Sequence, residues 1–214
     1  MKTRSTAIIA AFVIALAACS GPRPAAPVAT GGSGPDRTVL PIAEPQHPAI
    51  TEVDARKATP PPRFEVKAPQ AAPNVVIVLI DDIGFGHAAP FGGPITMPTL
   101  EALANNGLRY NRFHTTALCS PTRTALLTGR NHHVNNAGAL MELTNAFPGN
   151  TGVRPNSVAP LAEILRLNGY STAAFGKYHE TAPWEASVSG PYDRWPTGSG
   201  FDKFYGFIGG ETNQ

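Results

Sequence analysis

The chain has 214 residues, a formal net charge of +2 and only 15% charged residues. It holds no Lys/Arg-rich run and no interleaving of aromatic with basic residues, which argues against a nucleic-acid partner. A length of this size suggests one or two domains.

Residues 1–19 carry Lys2 and Arg4, an apolar run from Ala7 to Ala18, and then Cys19. That order of charge, apolar core and small residues reads as a secretory signal peptide, too short to remain as a membrane-spanning helix. Leu16-Ala17-Ala18-Cys19 is similar to the lipobox of bacterial lipoproteins, whose Cys is acylated and becomes the mature N-terminus. Ser20 in the next position resembles outer-membrane sorting. The expectation is an exported cell-envelope protein, anchored through Cys19 and facing the periplasm or the exterior. Residues 20–73 hold 12 of the 22 prolines, with Ala, Thr and Gly and no sustained periodicity. Such a stretch buries too little apolar surface to offset its ordering entropy, so it is expected to be a disordered tether.

The folded part is expected over 74–214. Asn74–Ile80 is an unbroken, β-branched apolar run, the pattern of a strand buried on both faces of a parallel sheet. It stops at Asp81-Asp82-Ile83-Gly84. Met97–Asn106 has helical spacing with Gly107 as its stop, and Leu108–Phe113 reads as a short strand. At the next helix start Ser120 is the expected N-cap, Pro121 the first helical residue and Gly129 the C-terminal stop. Ser157 is expected to cap a helix running through Pro160 to Leu167 and ending at Asn168-Gly169. Tyr170–Gly176 then reads as a second buried strand, followed by Lys177-Tyr178-His179. Strands and helices alternating in this way predict a doubly wound, mostly parallel α/β sheet with helices on both faces. In such sheets ligands gather outside the carboxyl ends of the strands, where Asp81, Asp82, Lys177 and His179 all stand.

Several of these residues have chemistry available to them. Adjacent carboxylates at a buried strand end repel each other unless a cation joins them, and hard oxygens of this kind suit Ca²⁺ or Mg²⁺. The free N–H groups at the helix start attract an anion, and Arg123, one turn on from Cys119, can point its fork the same way. In extended backbone Lys177 and His179 would face one side. With Cys19 lipidated, Cys119 has no disulfide partner, so an exported thiol is left needing another explanation.

Three motifs resemble the sulfatase family, the formylglycine-dependent arylsulfatase type of the alkaline-phosphatase-like superfamily. They are Cys119-x-Pro121-x-Arg123 with Thr128-Gly129-Arg130, Asp81-Asp82-x-Gly84, and Gly176-Lys177-x-His179. The resemblance implies that Cys119 is oxidised to formylglycine by a formylglycine-generating enzyme, and that its hydrate attacks the sulfur of an aryl or alkyl sulfate ester. It further implies Ca²⁺, rather than Mg²⁺, on Asp81, Asp82 and residue 119. Arg123 and Lys177 would hold the sulfate, and His179 would bind substrate oxygen or assist the leaving group. Arg130 would support the Cys119 region by hydrogen bonds. His87 departs from the family's Gly-x-Gly-Asp continuation, which bears on a peripheral contact. The resemblance also implies an N-terminal portion of a longer catalytic domain, with further calcium ligands and a second His and Lys beyond Gln214. Two other readings compete with it: a phosphonate or phosphate monoester hydrolase of the same superfamily, and an inactive lipid-anchored remnant.

Overall fold

The computed structural model describes residues 34–213. The expected signal peptide and lipidation site at Cys19 lie outside these residues. The regular elements are α1 (Pro98–Asn106), α2 (Cys119–Thr128), α3 (Leu161–Leu167), β1 (Ala173–Lys177) and β2 (Lys203–Phe207). The two strands pair in parallel, from Ala173 against Lys203 to Lys177 against Phe207. Parallel pairing needs a long return, supplied here by residues 178–202. The return is pinned at its far end. The Thr172 amide donates to Asp202 Oδ2 at 2.9 Å, and the Thr172 hydroxyl donates to the Gly200 carbonyl at 2.7 Å. Midway along the ladder Gly176 faces Gly206, and a Cβ on Gly206 would stand 2.0 Å from the Gly176 carbonyl oxygen. Only glycine permits that approach.

The fold is α/β with a parallel sheet, as expected, but the sheet has two strands among the described residues and differs in its members. β2 went unforeseen, and 74–80 forms no ladder. Val76 is 85% exposed rather than buried on both faces. The segment lies along β1 across a cavity of about 510 Å³, lined by Val75, Ile77, Leu126, Leu165 and Phe175. Apolar content favours a strand, but the ladder forms only when a neighbour closes to hydrogen-bonding distance. Leu108–Phe113 likewise forms no strand, and Leu108 and Phe113 are exposed. β1 starts at Ala173 rather than Tyr170 and is not buried. Phe175 and Tyr205 are register partners standing exposed side by side.

Helix starts differ from expectation too. Leu118 is the N-cap of α2, so Cys119 is its first residue and Pro121 its third, with no side-chain cap. Proline fits there because the whole first turn lacks intrahelical partners for its N–H groups. Ser120 does other work: its buried hydroxyl accepts the Met141 amide at 3.3 Å. Gly129 ends α2 as expected, left-handed at φ 64° with its N–H on the Ala125 carbonyl. Gly107 ends α1 in extended rather than left-handed backbone. α3 begins after Pro160 without a cap from Ser157.

The interior holds polar as well as apolar side chains. Ser120, Thr124, Asn135, His179, Thr181, Glu185 and Ser199 are buried beside Ala137, Met141, Ala162, Tyr178 and Ala182. α2 therefore turns its polar face inward, while Leu126 and Leu127 line the cavity beside β1. An ordinary surface helix does the reverse. Within 34–73 there is no helix or strand, yet the segment touches the α/β part. Arg37 donates to the Asn168 carbonyl at 2.8 Å, and the Ala68 amide donates to the Gly169 carbonyl at 3.1 Å.

Candidate active site

Three separate pieces of chain supply the site. Residues 74–80 deliver Asp81 and Asp82 in a turn, α2 carries Cys119 and Arg123, and β1 ends on Lys177. Cys119 and Arg123 are four apart in one helix and so share a face. Asp82 adopts the left-handed region at φ 52°, which Asp tolerates better than most residues.

Asp81 is the hinge of the charge arrangement. Its Oδ2 receives Lys177 Nζ at 2.8 Å, and its Oδ1 faces Arg123 Nη2 at 3.4 Å. Arg123 closes the triangle by donating from Nη1 to the Lys177 carbonyl at 2.6 Å. Burial pushes the Asp81 carboxyl up, but the Lys177 hydrogen bond and the nearby Arg123 charge outweigh it and hold the group below its ordinary value. Burial likewise pulls Lys177 down. Hydrogen bonds to Asp81 and Cys119 outweigh it and keep the ammonium above its usual range. The Nε–H of Arg123 is buried and has no partner among the described residues. A cavity of about 660 Å³ opens here, lined by Asp81, Asp82, Arg123, Lys177, Phe207 and Gly210.

Carboxylate oxygens of Asp81 and Asp82 and the Cys119 sulfur lie within 4.8 Å of one another. Two carboxylates fit a hard divalent cation such as Ca²⁺, whereas a thiolate is a soft ligand that suits it poorly. The donor set at 119 matches the carboxylates only if oxygen replaces sulfur there.

His179 is placed differently. Expectation had Lys177 and His179 facing one side of extended backbone, but the strand ends at Lys177 and His179 is left-handed at φ 57°. Lys177 turns to Asp81, while His179 Nε2 meets Glu142 Oε2 at 2.8 Å and Oε1 at 3.0 Å. Arg130 stands apart: its side chain is exposed, and among the described residues only its backbone is engaged, its amide donating to the Thr128 hydroxyl at 3.3 Å and its carbonyl accepting from Asn135 Nδ2 at 3.4 Å. His87, the departure from the family pattern, closes its own loop by accepting the Gly84 amide on Nδ1 at 2.6 Å.

Glu142, Thr124, Glu180 and Arg154 were missed. Glu180 is half-buried with its Oε1 out of solvent, accepts a hydrogen bond from the Thr124 hydroxyl on Oε2, and is pushed up to about 8 by desolvation of the carboxyl against the pull of Thr124, Arg154 and Arg123. Its position directly after His179 was the one available signal. Nothing in the local pattern of Met141-Glu142-Leu143 marks Glu142, whose role depends on a partner 37 positions away.

The description "Sulfatase" belongs to a family model that matches residues 73–214. The chain is 34% identical over 157 residues to an uncharacterized sulfatase of Schizosaccharomyces pombe, covering 70% of this chain and 27% of that protein. It is 32% identical over 149 residues to an arylsulfatase of Klebsiella aerogenes, covering 68% of this chain and 30% of the relative. Among solved structures, the PsFucS1 sulfatase from Pseudoalteromonas sp. is similar with a TM-score of 0.48 and 28% identity, over 62% of this chain and 25% of its own. The chain thus spans less than a third of the length of these relatives. By the stretch that carries Asp81-Asp82, Cys119-x-Pro121-x-Arg123 and Lys177-x-His179, this chain belongs to the sulfatase family.

Proposed function

We propose that this site hydrolyses sulfate esters of an alcohol or phenol, with residue 119 as the nucleophile after conversion of Cys119 to formylglycine. The observation that carries the reading is the convergence of Arg123, Lys177, Asp81 and Asp82 from three distant segments at one cavity, with the Cys119 sulfur within 4.8 Å of the two carboxylates. Arg123 and Lys177 bring two positive charges to where a tetrahedral oxyanion would sit, and the unpaired Arg123 Nε–H is a donor already desolvated for it. Asp81 and Asp82 would hold a calcium ion, which when bound supplies positive charge against the developing negative charge. The aldehyde hydrate supplies two hydroxyls on one carbon, so that one attacks and the other later releases the product. The attack forms a bond from one hydroxyl oxygen to sulfur and breaks the bond from sulfur to the ester oxygen, which leaves as the alcohol with a proton; the second hydroxyl then returns to the aldehyde as the bond from its carbon to the sulfated oxygen breaks, and water rehydrates the aldehyde. Lys177 holds Asp81 in place and its proton near residue 119.

Peptide mass spectrometry across residue 119, on protein made with a formylglycine-generating enzyme, tests the nucleophile. The expected result is loss of sulfur and appearance of an aldehyde that captures a hydrazide probe. An unmodified thiol in the matured protein would sink the mechanism. Aryl sulfate and phenyl phosphonate turnover in the presence of Ca²⁺ then tests the substrate class. Faster phosphonate cleavage refutes the sulfate reading, and hydrolysis of neither favours a remnant that no longer catalyses.

The address belongs to the same proposal: an exported lipoprotein held through Cys19, resting on Lys2, Arg4, the Ala7–Ala18 run and Leu16-Ala17-Ala18-Cys19. Cys19→Ala is expected to move the protein from the membrane fraction to the soluble fraction of a bacterial host. Membrane association that survives the change would overturn the anchor.

A further inference from the structure

His179 is held on every side. It is 3% exposed, its amide donates to the Ile208 carbonyl at 3.1 Å, and its backbone sits at φ 57°, a costly conformation for a residue with a Cβ. Gly210 packs directly on the ring, so closely that a Cβ there would stand 2.8 Å from His179 Cε1 and 3.0 Å from Nε2. Lys177, two residues earlier, and Gly210 both line the site cavity. Of the two ring nitrogens, Nε2 lies between the Glu142 oxygens, and Nδ1 is buried with no partner among the described residues.

Glu142 is itself anchored. Burial pushes its carboxyl up, but the His179 hydrogen bond and backbone N–H groups, including that of Gly210, outweigh burial and hold it below the ordinary range. An ionised carboxylate can only accept. The hydrogen between the two groups therefore belongs to Nε2, and in the neutral ring Nδ1 is left as a bare acceptor.

We propose that Glu142 is a positioning residue that fixes His179 as the Nε2–H tautomer, so that Nδ1 is left as the ring's one acceptor. This rests on the role that the family resemblance implies for His179, binding substrate oxygen or assisting the leaving group, and specifies the form of the ring. Glu142 acts through the ring, without itself touching substrate.

Long-range proton–nitrogen correlation spectra of the full chain, recorded on the neutral rings, read the tautomer without any substrate. The expected spectrum assigns His179 to the Nε2–H form. Glu142→Ala is expected to leave a mixture of both tautomers, and Glu142→Gln, whose amide oxygen still accepts from Nε2–H, to restore the single form. Wherever turnover is measurable, Glu142→Ala is expected to slow it by about 10- to 100-fold, with Glu142→Gln closer to the unmodified protein. An Nδ1–H ring in the unmodified chain, or a tautomer unchanged by Glu142→Ala, overturns the proposal. Absence of sulfate ester turnover would count against the hydrolase reading alone, because the spectrum is judged separately.

Discussion

Arg123→Ala is expected to destabilise the chain by about 3 kcal/mol and to reduce sulfate ester turnover by at least ~100-fold. One side chain serves both effects. Its Nη1 satisfies the Lys177 carbonyl at 2.6 Å, and its Nη2 faces Asp81 at 3.4 Å. The side chain is 10% exposed, so its stem is packed as well as its charge. Truncation leaves the carbonyl without its donor, opens a hole beneath α2 and takes one of two cations from Asp81. Because Asp81 is 38% exposed, the ion pair itself is screened, and most of the stability loss comes from packing and the lost hydrogen bond. Arg123→Lys should fall between the two proteins, since an ammonium keeps the charge but cannot reach both partners with a rigid fork. Urea denaturation and aryl sulfate turnover, measured on the same preparations, check both halves. A stability change below about 0.5 kcal/mol would show that Arg123 is not part of the frame.

The second expected result concerns pH. Glu180 is half-buried with its Oε1 out of solvent, and desolvation pushes its carboxyl from 4.5 up to about 8. A group whose folded value is raised contributes stability that is fully present below its unfolded value and is lost as pH rises through the folded value. The chain should therefore weaken steadily between about pH 4.5 and about pH 8, as the folded state is forced to give up a proton it retains longer than the unfolded chain. Glu180→Gln keeps the shape and the acceptor for the Thr124 hydroxyl but cannot ionise. At acid pH the two proteins are expected to agree within about 1 kcal/mol, while on the alkaline side the Gln variant should be more stable by roughly 2–4 kcal/mol. Urea midpoints across the range provide the comparison. Parallel pH profiles for the two proteins would mean that Glu180 is not held neutral.

These two positions also show where sequence reading succeeds. Arg123 was legible because its motif is local: four residues along one helix put it on the face of Cys119, whatever the rest of the chain does. The Asp81-Asp82 pair and Lys177 were legible because each ends an apolar run, and the carboxyl ends of parallel strands are where an α/β fold leaves room for a ligand. Glu180 and Glu142 were not, because a carboxylate is marked as special only by what surrounds it. Burial against Thr124 and Arg154 singles out the first, and the ring of His179 singles out the second.

The same division runs through the fold. The sequence by itself determined the α/β class, the three helices to within a few residues, the left-handed stop at Gly129 and the residues that meet at Asp81. All of these follow from periodicity, backbone freedom or short motifs, which act over a turn or a strand. The tertiary structure decided which apolar runs became ladder strands, pairing β1 with the unforeseen β2 and leaving 74–80 beside a cavity. It also turned the polar face of α2 inward, moved the cap to Leu118, and bent the chain at His179 so that Lys177 and His179 serve different carboxylates. Strand pairing, burial and side-chain partnership are settled between residues tens of positions apart, and local spacing carries no information about which of them will meet.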